Sequence, residues 1–204
     1  MEIVTVSKGE RKLDNSLLMK TDTSLTLNFL IYLQNIFLNQ NQNEEELRFP
    51  YLSNRMMFKE HFELKYKELW NEVSEKIYND DGSDLRIFYE EKDVFYQRLF
   101  INNADSLEGF NEVYKSFQVW WGSFAGSFSV ERSINEIGRS LYLELANFLK
   151  NSGVEPQKHL NIILVYDDCL LANDEVYSYF AILPIKDFFV KYKELVSKLR
   201  DCFY

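Results

Sequence analysis

Two apolar runs near the carboxyl-terminal end, residues 160–166 and 176–183, most constrain what this chain can fold into. Each has strand length and almost no polar alternation, so both faces of each strand need cover. They are expected as neighbouring strands deep in a sheet, with the rest of the chain supplying the layers over it. Residues 85–89 and 94–101 are also rich in aromatic and β-branched side chains, and the charged tetrapeptide Glu90-Glu91-Lys92-Asp93 separates them. That pattern predicts a β-hairpin over 85–101.

Helical spacing accounts for most of what remains. Leu25, Phe29, Tyr32 and Ile36 predict a largely buried helix over 24–38, with Asp22, Thr23 or Ser24 as its cap. Phe58, Phe62, Tyr66, Leu69, Trp70, Val73 and Ile77 predict a long helix over 54–78, stopped by Asn79, Asp80, Asp81 and Gly82. Asp105 and Glu108 fit a capping box ahead of Phe110, Tyr114, Phe117 and Trp121, and Ser133 and Glu136 fit another ahead of Ile137, Leu141, Leu145 and Phe148. Gly153 and Pro156 end that fourth helix. Pro184 suits the first turn of a closing helix over 185–199. The run 122–129 sets small residues around two phenylalanines, which suits a close-packed crossing or a loop facing a groove.

Helices and strands are mixed without regular alternation, so the expected class is α+β. The expectation is a small, mostly antiparallel sheet (hairpin 85–101 with strands 160–166 and 176–183) packed with about five helices, in one domain over 1–204. Polar residues of the segment 39–46 read as a loop inside it. With 46% hydrophobic residues the chain has enough apolar surface to offset its conformational entropy, and 7 glycines and 3 prolines exclude low-complexity classes.

Residues 1–12 lack the continuous apolar core of a secretory leader and are expected to belong to the fold. The most apolar window, 25–38, is interrupted by Thr26, Asn28, Gln34 and Asn35 and is shorter than the roughly 20 residues that span a bilayer. Cys169 and Cys202 have no Cys or His at metal-ligand spacing. Reduced thiols in a cytoplasmic protein are the expectation.

Charge shapes the functional reading. Lys and Arg total 23 against 32 Asp and Glu, a formal charge of −9, which opposes binding to nucleic-acid phosphates. Glycine-rich phosphate loops and the Gly-x-Ser-x-Gly turn are absent. Arg132, Arg139 and Lys150 are too few to make residues 133–154 a DNA reader. Asp84, Glu90 and Lys92 resemble the carboxylate and Glu-x-Lys set of metal-dependent nucleases, but the match is short and Lys92 falls in the expected hairpin tip. His61 and His159 lie on different elements, and a Cys169–His159 nucleophile pair needs element ends to meet.

Acidic clusters concentrate in expected loops and element ends. Asp80, Asp81, Asp84, Glu90, Glu91, Asp167, Asp168, Asp174 and Glu175 are the candidate partner-binding residues, and tyrosines flank several of them. The sequence expectation is therefore a non-enzymatic acidic protein that binds and neutralises a basic protein partner, as an immunity or inhibitor protein would, with no cofactor and no nucleic-acid or membrane partner. The alternative is a metal-dependent enzyme of phosphoryl transfer or hydrolysis, with the acidic loop 167–175 converging on magnesium. A third expectation is burial of aromatic surface by a second copy of the chain.

Overall fold

A computed structural model describes residues 17–41, 46–80, 82–172 and 176–204. The expectation for residues 1–12, part of the polar loop 39–46, and the candidates Asp81, Asp174 and Glu175 lie outside the described residues. The order of elements is β1 (Met19–Thr23), α1 (Leu25–Asn41), α2 (Phe62–Asn79), α3 (Ser83–Glu90), α4 (Lys92–Leu99), α5 (Ala104–Trp121), a turn kinked at Gly126 (Phe124–Phe128) and α6 (Ser129–Ser133). α7 (Asn135–Ser152), β2 (Leu160–Val165), β3 (Val176–Tyr177), β4 (Phe180–Pro184), α8 (Asp187–Val190) and α9 (Tyr192–Asp201) complete it.

The described chain is mostly helical, and its sheet corrects the antiparallel expectation. Strand order is β1-β2-β4-β3, with β1, β2 and β4 all parallel and only the two-residue β3 antiparallel to β4. Two causes explain the difference. β1, Met-Lys-Thr-Asp-Thr, is half-buried throughout and carries no apolar strand signal. The run 176–183 is also not one strand: the chain reverses after Tyr177 and resumes at Phe180, with Tyr179 at φ 60° in the turn. That residue is held from three sides. Its amide donates to the Cys202 carbonyl, its own carbonyl accepts from Asn161, and its hydroxyl accepts from the Gln157 amide.

The hairpin expected over 85–101 is the second correction, because both halves are helices. Ile87 and Phe88 are buried in α3, and Phe95, Tyr96 and Leu99 in α4, a helical spacing that the aromatic content masked. Glu91, expected in a hairpin tip, is the joint between the two helices. Smaller differences follow from caps. α2 starts at Phe62 because His61 takes a left-handed conformation at φ 57°, leaving Phe58 to bridge to Phe100. Asn103, not Asp105, caps α5, its side chain accepting from the Ser106 amide at 2.8 Å. Pro184 ends β4 instead of opening a helix, and the closing helix is split into α8 and α9.

At the centre lies α1, which has no charged residue and buries every position from Leu25 to Ile36. A helix uncharged and buried on every side must be enclosed, and α2, α3, α5 and β2 enclose it. Phe29 is its hub: its ring meets those of Phe88, Phe95, Phe110, Tyr114 and Phe117 at centroid distances of 5.1 to 6.3 Å. Such edge and tilted pairs add to the area term. Phe29→Ala should destabilise the fold by about 3–5 kcal/mol, measurable as a lowered urea midpoint with little change in slope.

Burial also sets an alkaline limit. Burial pushes the Cys202 thiol up to about 11, with a smaller contribution from Asp201, and the Tyr114 hydroxyl up to about 12, with a smaller contribution from Tyr89. The ordinary values are 9.0 and 10.0, so above pH 9 the unfolded chain releases these protons first. Stability is complete below about pH 9 and is lost as pH rises through the folded values. Urea midpoints taken at about pH 8, 9.5 and 10.5 should fall in that order, and Cys202→Ala should flatten part of the decline.

Candidate functional site

Among the described residues the candidate acids do not present one free surface. Asp84 turns inward from the first turn of α3 and caps α1. Its carboxylate accepts from the Ser24 hydroxyl at 2.7 Å, the Leu25 amide at 2.8 Å and the Thr26 amide at 3.0 Å, while Ser24 Oγ accepts from Leu27. Asp167 lies near the other part of that helix, roughly 15 Å away by the rise from Ser24 to Gln34. Arg48 reaches both of its oxygens at 3.2 Å, and Asn35 donates to it at 2.9 Å. Asp168 meets Lys186 at 3.0 Å, and that hydrogen bond holds the lysine above its ordinary pKa. Glu91 meets Lys76 at 2.9 Å and raises it likewise. Asp80 accepts from the Gly82 amide, and Glu90 is exposed at the end of α3.

The catalytic alternatives fare no better in geometry. Among the described residues no group of three or more His, Cys, Asp and Glu is placed to hold a metal ion. The described half of the acidic loop, Asp167 and Asp168, already faces Arg48 and Lys186. Lys92 lies over the Tyr114 ring, 4.6 Å from its centroid, and donates to Asn111, so it serves packing between α4 and α5. His159 precedes β2 and Cys169 follows it, which puts about 20 Å of strand between them. Cys169 instead lies 4.0 Å from the Tyr66 hydroxyl, and burial, then the thiol, push that tyrosine well above its usual range.

What sequence reasoning missed is a cleft of about 480 Å³ at the carboxyl end of β1, where α1 starts. The crevice beyond the ends of parallel strands is a recurrent position for ligands. α3 and the end of α5 form its sides, and the kinked turn and α6 complete it. Among the described residues three carboxylates line it, Asp22, Asp84 and Glu131, with the ammonium of Lys20; Tyr89 and Trp121 contribute aromatic wall. Asp84 is committed to the α1 amides. Lys20 sits 3.4 Å from Asp22, a pair exposed enough to hold weakly, and Thr23 Oγ1 donates to Glu131 at 3.1 Å. Neither histidine lines the cleft, and neither does a cysteine. Carboxylates beside aromatic rings are groups able to oppose a cationic charge and to cover an apolar stem.

Two signals in the sequence bear on this site. The Thr23-Ser24 step before the most apolar helix marks a helix N-terminus, and the glycine-spaced phenylalanines of 122–129 mark a backbone packed against something. Neither reveals that β1 and α6 meet. Asp84→Ala, which leaves the Leu25 and Thr26 amides without their acceptor, should cost about 2–3 kcal/mol in urea unfolding, and Asp84→Asn distinctly less.

No protein-family model, no curated protein and no solved structure matches this chain.

Proposed function

We propose that this chain is a non-enzymatic interaction protein that binds and neutralises a basic protein partner, in the manner of an immunity or inhibitor protein. The observation that carries the reading is the cleft, where, among the described residues, the carboxylates Asp22, Asp84 and Glu131 outnumber Lys20 beside Trp121 and Tyr89. A net charge of −9 supports it from a distance, since the field of the whole chain draws a basic partner and repels nucleic acid. The acidic loop residues contribute to that field more than to contact, because most of those described already have partners within the chain. A reducing compartment, the cytoplasm, suits both cysteines, which are unbridged. Among the described residues no helix is long and apolar enough to cross a membrane.

The test uses a defined probe, a fluorescent tetra-arginine peptide, with tetra-glutamate as control. Wild-type protein should bind the arginine peptide alone, with affinity falling about tenfold between roughly 50 and 300 mM salt. The pair of substitutions Asp22→Asn and Glu131→Gln, which keep size and remove charge, should weaken it about tenfold further. Binding indifferent to salt and to both substitutions would remove the reading.

A further inference from the structure

We infer that the partner docks on a preformed aromatic knuckle, Phe124 and Phe128 of the kinked turn, which sits beside the cleft and adds an apolar anchor to its charge. The inference rests on the basic-partner reading and deepens it, because it specifies that the partner carries an apolar group next to its cationic one.

The turn is built without help from either ring. Gly126 lies so close to the end of α5 that a Cβ there would collide with the backbone of Trp120 and Trp121. Three serine hydroxyls then tie the segment down: Ser123 donates to the Trp120 carbonyl, Ser127 to that of Trp121, and Ser129 to that of Phe124. The backbone is therefore held by glycine packing and hydroxyl bonds. Phe124 is nevertheless 79% exposed and Phe128 43% exposed, their ring centroids 4.7 Å apart. Rigid presentation of a large apolar side chain to water lowers the ordering cost of binding, which is the property of interface anchors.

Position and charge select the occupant. Trp121, Gly122 and Ser127 of this stretch line the cleft and Glu131 follows in α6, so Phe128, next to Ser127 in the chain, stands at the edge of the cleft and not in its wall. A second copy of the chain would bring another −9 to this acidic surface and is disfavoured. Arg132 of the chain itself lies 5.4 Å from the Phe128 centroid, which leaves Phe124 as the more open of the two rings. A basic protein segment pairing Arg or Lys with a neighbouring apolar residue complements both parts.

Selection from a displayed library of random twelve-residue peptides against the full chain tests this. Enriched peptides should combine Arg or Lys with an apolar neighbour. Phe124→Ser should keep the thermal midpoint of the wild type, since the ring stabilises nothing beneath it, and weaken those peptides at least about tenfold. Phe128→Ser serves as the second variant. Basic peptides that bind Phe124→Ser and Phe128→Ser as well as wild type would overturn the knuckle and leave the basic-partner reading standing. Enrichment of peptides without basic residues would overturn both. No enrichment at all would overturn the knuckle, as would light scattering that shows a dimer dissolved by Phe124→Ser, or binding of phosphatidylcholine vesicles lost in that variant.

Discussion

Enclosing a helix that is uncharged and buried on every side governs the architecture of this protein. α1 contributes no exposed face from Leu25 to Ile36, so helices before and after the middle of the chain must wrap it, and its backbone ends must be satisfied inside the fold. Ser24 and Asp84 meet that need at the amino end. The choice of Asp84 joins α3 to α1 through polar bonds, with the Thr26 hydroxyl returning one to the Asp84 carbonyl. A residue that reads as a solvated acid is thus a structural cap, and the amino end of α1 is held where β1 stops.

The polar residues inside α1 do comparable work along its length. Asn28 donates to the Leu164 carbonyl and accepts from the Tyr166 amide, attaching α1 to the end of β2. Gln34 accepts from the Leu170 and Leu171 amides and donates to the Asp168 carbonyl. Asn35 joins the Phe49 carbonyl to Asp167. Buried amides are tolerated only when so paired, and here each pairing directs the chain after β2 along the helix. The same bonds draw Asp167 and Asp168 toward Arg48 and Lys186, which explains why the loop with the highest density of acids is not a free anionic surface.

Asp22 and Glu131, each with partners inside the chain, line the cleft beside β1, and the glycine-packed turn follows one of its walls in the chain. Charge and apolar surface lie together there because α5 ends at the same place that β1 does. That coincidence belongs to the tertiary arrangement. It joins residues 22 and 131, which no local pattern connects.

Much of the helical layout was legible, since burial follows spacing in α1, α2, α5 and α7, and Gly153 stops α7 in the left-handed conformation expected of such a residue. The strand within 160–166 was legible as a continuous apolar run, whereas the run 176–183 hid the turn between β3 and β4. α3 and α4 were not, because their aromatic residues suit a strand as well as a helix until the packing of Ile87, Phe88, Phe95 and Leu99 against the centre decides. The polar interruptions Thr26, Asn28, Gln34 and Asn35 were visible as exclusions of a membrane span, while their partners were not. By itself the sequence determined which residues must be buried and the net charge they leave outside, because both depend on composition and local period. Strand direction, the inward turn of Asp84 and the meeting of β1 with α6 were decided only by the tertiary structure, because each is a bond or contact between residues far apart in the chain, which neither propensity nor spacing encodes.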